Sequence, residues 1–197
     1  MIPTVTSPLG LPIAYSRRLQ YLESTGTQYI NTGVSPDFAN GDQIELKFYG
    51  AEMTGDPKSA FGSRNVTGGT VANALYFLGS NIVFGDSSSY TSVSCNYRNE
   101  HILTVNDTEI SDNGTVVAQT PKRVSCDFPI YLFAMNNRGN VLGIYPGLQI
   151  YDWKFWHNGT LAQHLIPVLD RSGVPCMYDT ISRSLKYNAG TGTFDYA

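Results

Sequence analysis

The sequence predicts an all-β protein, two antiparallel sheets packed face to face as a jelly-roll sandwich. Three observations predict it. Charged residues make up only 15% of the 197, against about 25% in an average soluble chain, while Gly 19, Pro 10 and Tyr 13 point to many turns and half-buried aromatic surfaces. Apolar residues alternate with polar ones at period two, and turn signals recur about every 8 to 12 residues with almost no helical periodicity. The segments so marked amount to roughly ten to fourteen strands, more than one open sheet of ordinary size holds, and two packed sheets hide the inner faces of both.

The elements follow in order. Residues 1–15, MIPTVTSPLGLPIAY, carry three prolines and no charge, so they read as an extended arm ahead of a sandwich over 16–197. In Gln43 to Phe48, Ile44, Leu46 and Phe48 face one way while Glu45 and Lys47 face the other, a strand with one wet face. Ala74 to Leu78, then Gly79-Ser80-Asn81, then Ile82 to Phe84 read as a hairpin with a three-residue turn. His101 to Val105, Thr108 to Ile110 and Thr115 to Ala118 read as short meander strands, with Asn113-Gly114 as a type I′ turn. Pro129 to Met135 is apolar in both phases, as a central strand covered on both faces would be, and Asn136 to Gly139 closes it. Leu148 to His157 is the strongest strand signal, with Tyr151, Trp153 and Phe155 expected on one face and Asp152, Lys154 and Trp156 on the other. Asn158-Gly159 then turns the chain into Thr160 to Val168.

Composition excludes several functions. A net charge of -3 leaves no basic surplus for phosphates, so nucleic-acid binding is not expected. No window approaches the roughly 20 apolar residues of a membrane-spanning helix, and Arg17 and Arg18 follow the apolar N-terminal residues rather than precede them, the wrong order for a secretory signal. The three cysteines lack C-x-x-C spacing. Buried free thiols are the economical reading, with a Cys95–Cys126 pair as the alternative. Four N-x-S/T sequons begin at Asn65, Asn106, Asn113 and Asn158; the two that contain Asn-Gly are explained by turns.

Tyr21 to Gly33, YLESTGTQYINTG, resembles the opening motif of laminin-G-like, concanavalin-A-like jelly-roll domains of gut bacteria and their phages. Ala60 to Arg64, Leu132 to Asn136, Trp153 to Gly159, and the stretches Met177 to Asp179 and Lys186 to Phe194 are similar to later segments of that group, in the same order. The resemblance covers about residues 19 to 195 and implies fold more than ligand. Most motif residues have a structural explanation: Gly26, Gly33, Gly62 and Gly192 suit positive φ, and the aromatics suit a core.

Catalysis is not expected. Glycan hydrolysis needs two carboxyl groups flanking the scissile bond, and along single strands only Asp107 with Glu109 has the right spacing, at a turn. There is no Gly-x-Ser-x-Gly elbow, and His101, His157 and His164 have no nucleophile spacing; His157 is expected at a solvated edge and His164 packed. No zinc set is visible. Calcium, which laminin-G-like sandwiches sometimes hold, would fall to Asp37, Asp42, Asp56 and Asp86, each more simply a turn residue. For glycans, which such sandwiches bind with aromatic rings, amides and guanidinium groups, the candidates are Trp156, Tyr97, Tyr90, Arg64, Asn136 and Asn137. Ile2, Val5, Leu9, Leu11, Ile13 and Tyr15 would dock the arm on a partner, such as another virion or surface protein or a second copy. The expectation is a non-enzymatic module of a phage or prophage particle, on capsid, tail or fibre. The alternative is a bacterial surface or secreted carbohydrate-binding module.

Overall fold

The computed structural model describes residues 14–50, 57–65, 72–85, 90–94, 99–119 and 125–197. Ile2, Val5, Leu9, Leu11, Ile13, Asp56, Asp86, Cys95 and Tyr97 lie outside them. The strands in chain order are β1 (Tyr15–Arg18), β2 (Leu22–Glu23), β3 (Ile30–Asn31), β4 (Gln43–Tyr49), β5 (Lys58–Arg64), β6 (Ala72–Leu78), β7 (Asn81–Gly85), β8 (Tyr90–Ser94), β9 (His101–Val105) and β10 (Glu109–Asp112). They continue as β11 (Thr115–Gln119), β12 (Tyr131–Leu132), β13 (Met135–Asn137), β14 (Asn140–Leu142), β15 (Gln149–His157), β16 (Thr160–Asp170), β17 (Pro175–Asp179), β18 (Ser184–Lys186) and β19 (Asp195–Tyr196). A single 3-10 turn, Phe38–Asn40, is the only helical element among the described residues.

The strands form two sheets, as expected. The larger runs β11-β10-β9-β4-β15-β16-β17-β18, with β1 alongside β16, β2 alongside β15 and β19 alongside β2; the smaller runs β14-β13-β5-β6-β7-β8, with β12 alongside β5 and β3 alongside β12. Apart from the parallel β13–β5 pair, every ladder is antiparallel. The inner faces meet in one core, where Ile44, Leu46, Phe48, Trp153 and Phe155 of the larger sheet face Phe61, Leu75, Phe77 and Phe84 of the smaller. Edge-on ring contacts such as Phe61–Trp153 at 5.2 Å and Phe48–Phe77 at 5.6 Å join the layers.

Four local expectations change. The β6–β7 hairpin closes with two residues rather than three, Leu78 pairing with Asn81 across Gly79-Ser80; a positive φ at the first turn residue, Gly79, matches the twist of the strands. The 129–135 segment is not one central strand. β12 runs antiparallel to β5, the chain reverses at Phe133, whose φ is +67°, and β13 returns parallel to β5. Burial of the Phe133 ring against Phe194, centroids 4.8 Å apart, and its N–H bond to Ala60 O hold this unfavourable backbone state in place. Gly62 does not use positive φ; it is required because a Cβ there would lie 2.5 Å from Ala74 Cβ. The fourth change, at Tyr151, creates the candidate site.

The motif that carries the resemblance is a scaffold. Gln28 is buried, and its Oε1 accepts from Thr25 N at 2.8 Å while its Nε2 donates to Thr25 and Thr27 hydroxyls. Thr27 Oγ1 donates to Thr191 O, and Ala189 N donates to Tyr29 O, so the opening and closing segments hold each other.

Candidate functional site: a groove on the outer face of the larger sheet

The site begins with a register slip. β4 and β15 pair residue by residue from Trp156↔Gln43 to Asp152↔Lys47, but the next pair is Ile150↔Phe48, leaving Tyr151 without an opposite number. Such a β-bulge reverses the alternation locally. Ile150 is in the core, and Tyr151 joins Asp152 and Lys154 on the outer face instead of joining Trp153 and Phe155 inside. There Arg18, Glu45, Lys47, Tyr151, Asp152 and Lys154 line a groove of about 430 Å³, within the range of small-ligand pockets.

The groove side chains are held in fixed positions. Lys154 Nζ donates to Glu45 Oε1 at 2.6 Å and lies 3.6 Å from Asp152 Oδ1. The bond to Glu45 is the main reason the Lys154 ammonium titrates above its ordinary range, with Asp152 adding to it. Asp152 Oδ2 pairs with His164 Nε2 at 2.9 Å, and His164 Nδ1 lies 3.1 Å from Thr180 Oγ1. With Nε2 donating to the carboxylate, Nδ1 accepts from the hydroxyl. The other oxygen, Asp152 Oδ1, is enclosed and accepts no hydrogen bond. Tyr151 rests against Tyr21, centroids 5.5 Å apart, with Lys47 Nζ 5.2 Å from its ring centre. Its hydroxyl donates to Gln149 Oε1 at 2.8 Å, and Gln149 Nε2 donates to Glu23 at 2.7 Å. Burial, followed by the nearby charge of Glu100, pushes the phenol pKa up, so Tyr151 stays neutral. Lys47 also reaches Glu100 at 2.8 Å, a partly exposed pair that adds little stability.

The residues expected for glycan binding do not converge. Trp156 shares the outer face with Lys154, one step further along β15 and half-buried, but it does not line the groove. Arg64, Asn136 and Asn137 belong to the smaller sheet, where β5 and β13 pair Asn137 with Arg64. Asn136 is buried and structural: its amide donates to Pro129 O at 2.9 Å and its carbonyl accepts from Gly139 N at 2.7 Å. Tyr90 is exposed on the edge strand β8. Tyr15, expected in the docking arm, is part of β1, opposite Asp170, and packs edge-on against Tyr178 at 5.0 Å.

The calcium candidates within the described residues act as turn anchors. Asp42 is buried and accepts from Asp37 N and His157 Nδ1, each at 2.6 Å, while Asp37 Oδ2 accepts from Asn40 at 2.6 Å. Among the described residues no group of three or more His, Cys, Asp or Glu could hold a metal. His157 is exposed as expected, yet tied to Asp42; His164 is tied to Asp152 and Thr180. Cys126 is a buried free thiol whose Sγ donates to Asn65 Oδ1 at 3.0 Å, and Cys95, its alternative partner, lies outside the described residues.

Strand-by-strand reasoning missed a place where two carboxylates from neighbouring strands flank one lysine. Glu45 and Asp152 come from adjacent strands and share Lys154. The signal was present in the wet-face alternation of Glu45-Lys47 and Asp152-Lys154, and only the pairing register brings the two together.

No protein-family profile matches the chain, and no curated protein sequence matches it. Among solved structures it is similar to a protein of Bacteroides ovatus ATCC 8483 described as a candidate carbohydrate binding protein, with 13% identity and a TM-score of 0.61. The match covers 91% of this chain and 60% of that one, so this chain spans less than two thirds of its length. At this identity the likeness establishes the β-sandwich fold.

Proposed function

We propose that this chain is a non-catalytic carbohydrate-binding module of a bacterial surface or secreted protein, with the outer-face groove as its sugar site. This is the alternative of the two readings drawn from the sequence; nothing in the fold or the comparisons favours the phage-particle reading. The observation that carries it is the bulge that turns Tyr151 out of the core and into a groove of fixed polar groups. A sugar presents an apolar ring face and a rim of hydroxyls, and a phenol ring beside rigid donors and acceptors matches both features. The similar fold of a candidate carbohydrate binding protein supports the reading in the same direction.

The carboxylate pair favours binding over hydrolysis. A glycosidase acid is kept protonated by an apolar or like-charged setting. Here Lys154 stands between Glu45 and Asp152, a setting that favours two carboxylates acting as hydrogen-bond acceptors.

A glycan array followed by titration calorimetry tests the proposal, using the wild type and Tyr151→Ala. The wild type binds at least one glycan and the variant at least tenfold more weakly, with reducing-sugar release absent in both. A blank array, equal binding by the variant, or steady sugar release from the wild type overturns it.

A further inference from the structure

We infer that the groove selects a sugar residue carrying an anionic group, a carboxylate or a sulfate, and that Arg18 is the residue that reads it. This rests on the groove being a sugar site, and it adds the chemical class of sugar. The starting observation is an imbalance among charged groups that are otherwise matched. Lys154 is held by Glu45 at 2.6 Å, and Lys47 by Glu100 at 2.8 Å. Asp152 is held through Oδ2 by His164. The exposed side chain of Arg18, which lines the same groove, has no hydrogen-bond or ion-pair partner among the described residues.

Neighbouring residues sharpen the contrast. Arg17, one position earlier on β1, points its guanidinium at the Tyr196 ring, 6.0 Å from its centre, whereas Arg18 has no ring partner among the described residues. Pairing of β1 with β16, Arg18 opposite Val168, fixes the backbone from which the guanidinium extends. The groove therefore offers a free planar fork with several N–H donors, the geometry that matches a carboxylate or sulfate. With Glu45 on Lys154 and Glu100 on Lys47, Arg18 is the groove-lining cation without a carboxylate of its own among the described residues. Lys154 Nζ lies 3.6 Å from Asp152 Oδ1 and offsets that carboxylate's repulsion of the anionic group.

The test compares three ligands on the intact chain: a neutral galacto-oligosaccharide, an oligogalacturonide of equal length, and a sulfated galacto-oligosaccharide. The wild type binds at least one anionic ligand about tenfold more tightly than the neutral one, as a charge-assisted bond gives, and raised salt narrows that gap. Tighter binding of the uronide names a carboxylate; tighter binding of the other names a sulfate. Arg18→Gln, its fold verified by circular dichroism, removes the preference. Equal affinity for neutral and anionic ligands overturns the inference while leaving the sugar site standing, as does an anionic preference that survives in Arg18→Gln. No binding of any of the three, together with a blank array, overturns the sugar site itself.

Discussion

Replacing Gly62 with alanine sets two opposing effects against each other, and the structure decides between them. Alanine restricts the unfolded chain and so stabilises by about 0.4–1 kcal/mol where the native backbone accepts it. At Gly62 the added methyl would sit 2.5 Å from Ala74 Cβ and 2.8 Å from Ala74 Cα. Carbon atoms settle at about 3.5–4.0 Å, so β6 must retreat from β5 by roughly 1 Å at a point where Gly62 and Ala74 are paired. Ala74 is buried and cannot turn its methyl away. Such overpacking costs about 1–3 kcal/mol, which outweighs the entropic gain and leaves a net loss on the order of 1–2 kcal/mol. For a chain of this size that corresponds to a melting-point drop of roughly 2–8 °C. Urea unfolding and calorimetry measure it, with Ala74→Gly as a second variant. The double variant removes the 2.5 Å contact and keeps the 2.8 Å one, so it is more stable than the sum of the single changes predicts, by at least about 0.5 kcal/mol. A Gly62→Ala protein as stable as the wild type, or strict additivity in the double variant, refutes the close approach of β5 and β6.

Three further outcomes are expected. Asp170 takes N–H bonds from Val174 and Ser172 and the Tyr187 hydroxyl, and the Val174 bond leads in holding its carboxyl below its usual range. Its folded pKa lies below its unfolded value of about 3.9, so the stability it contributes is present above that value and lost as pH falls through the folded pKa. Melting points of wild type and Asp170→Asn therefore differ most near neutrality and converge toward pH 2; a constant gap speaks against this linkage. Burial pushes the Cys176 thiol up to about 12 and raises that of Cys126, so in a Cys95→Ser background a thiol reagent labels neither at pH 8 until the protein unfolds. Prompt labelling of the folded chain contradicts that burial. Asn158 heads the β15–β16 turn with φ +47°, and Asn158→Ala lowers stability by about 1 kcal/mol in urea titration, whereas Asn158→Gly stays within about 0.5 kcal/mol of the wild type; equal losses in both variants contradict the turn assignment.

Much of the sandwich is legible because its cause is local. Ile44, Leu46 and Phe48 face the core and Glu45 and Lys47 face outward, as the alternation dictates, and Asn113-Gly114 and Asn158-Gly159 adopt the paired positive φ that type I′ turns need. What remained illegible depends on contacts between segments distant in sequence. The reversal at Phe133 follows from β12 and β13 flanking β5 in opposite directions, and Gly62 answers to a strand twelve residues away. Tyr151 is the sharpest case: period two assigns it to the core with Trp153, and one bulge beside β4 moves it out. The glycan candidates scattered for a related reason. Sequence assigns Trp156 to a strand and a face and marks Arg64 only by its segment, and neither says that the two lie in different sheets.

The same bulge explains why a chain so poor in charge can hold a polar site without disrupting its fold. Lys47, Glu45, Lys154 and Asp152 occupy the outer face of two central strands whose inner residues, Leu46, Ile44, Trp153 and Phe155, are fixed by the core. The charged groups inherit positions set by buried neighbours one residue away, so little ordering remains to oppose a ligand. Moving Tyr151 outward deprives the core of one ring, and Ile150 from the same strand packs there instead. Deleting Tyr151 from the chain would leave Ile150 inward opposite Phe48 and Asp152 outward opposite Lys47, a regular alternation with both residues on their present faces. Ile150 would keep its place in the core and Asp152 its pair with His164, and only the phenol ring would be lost from the groove. The extra residue therefore serves the groove and not the core: the bulge adds an aromatic ring to the outer face while the packing of the sheet beneath it stays as the alternation sets it.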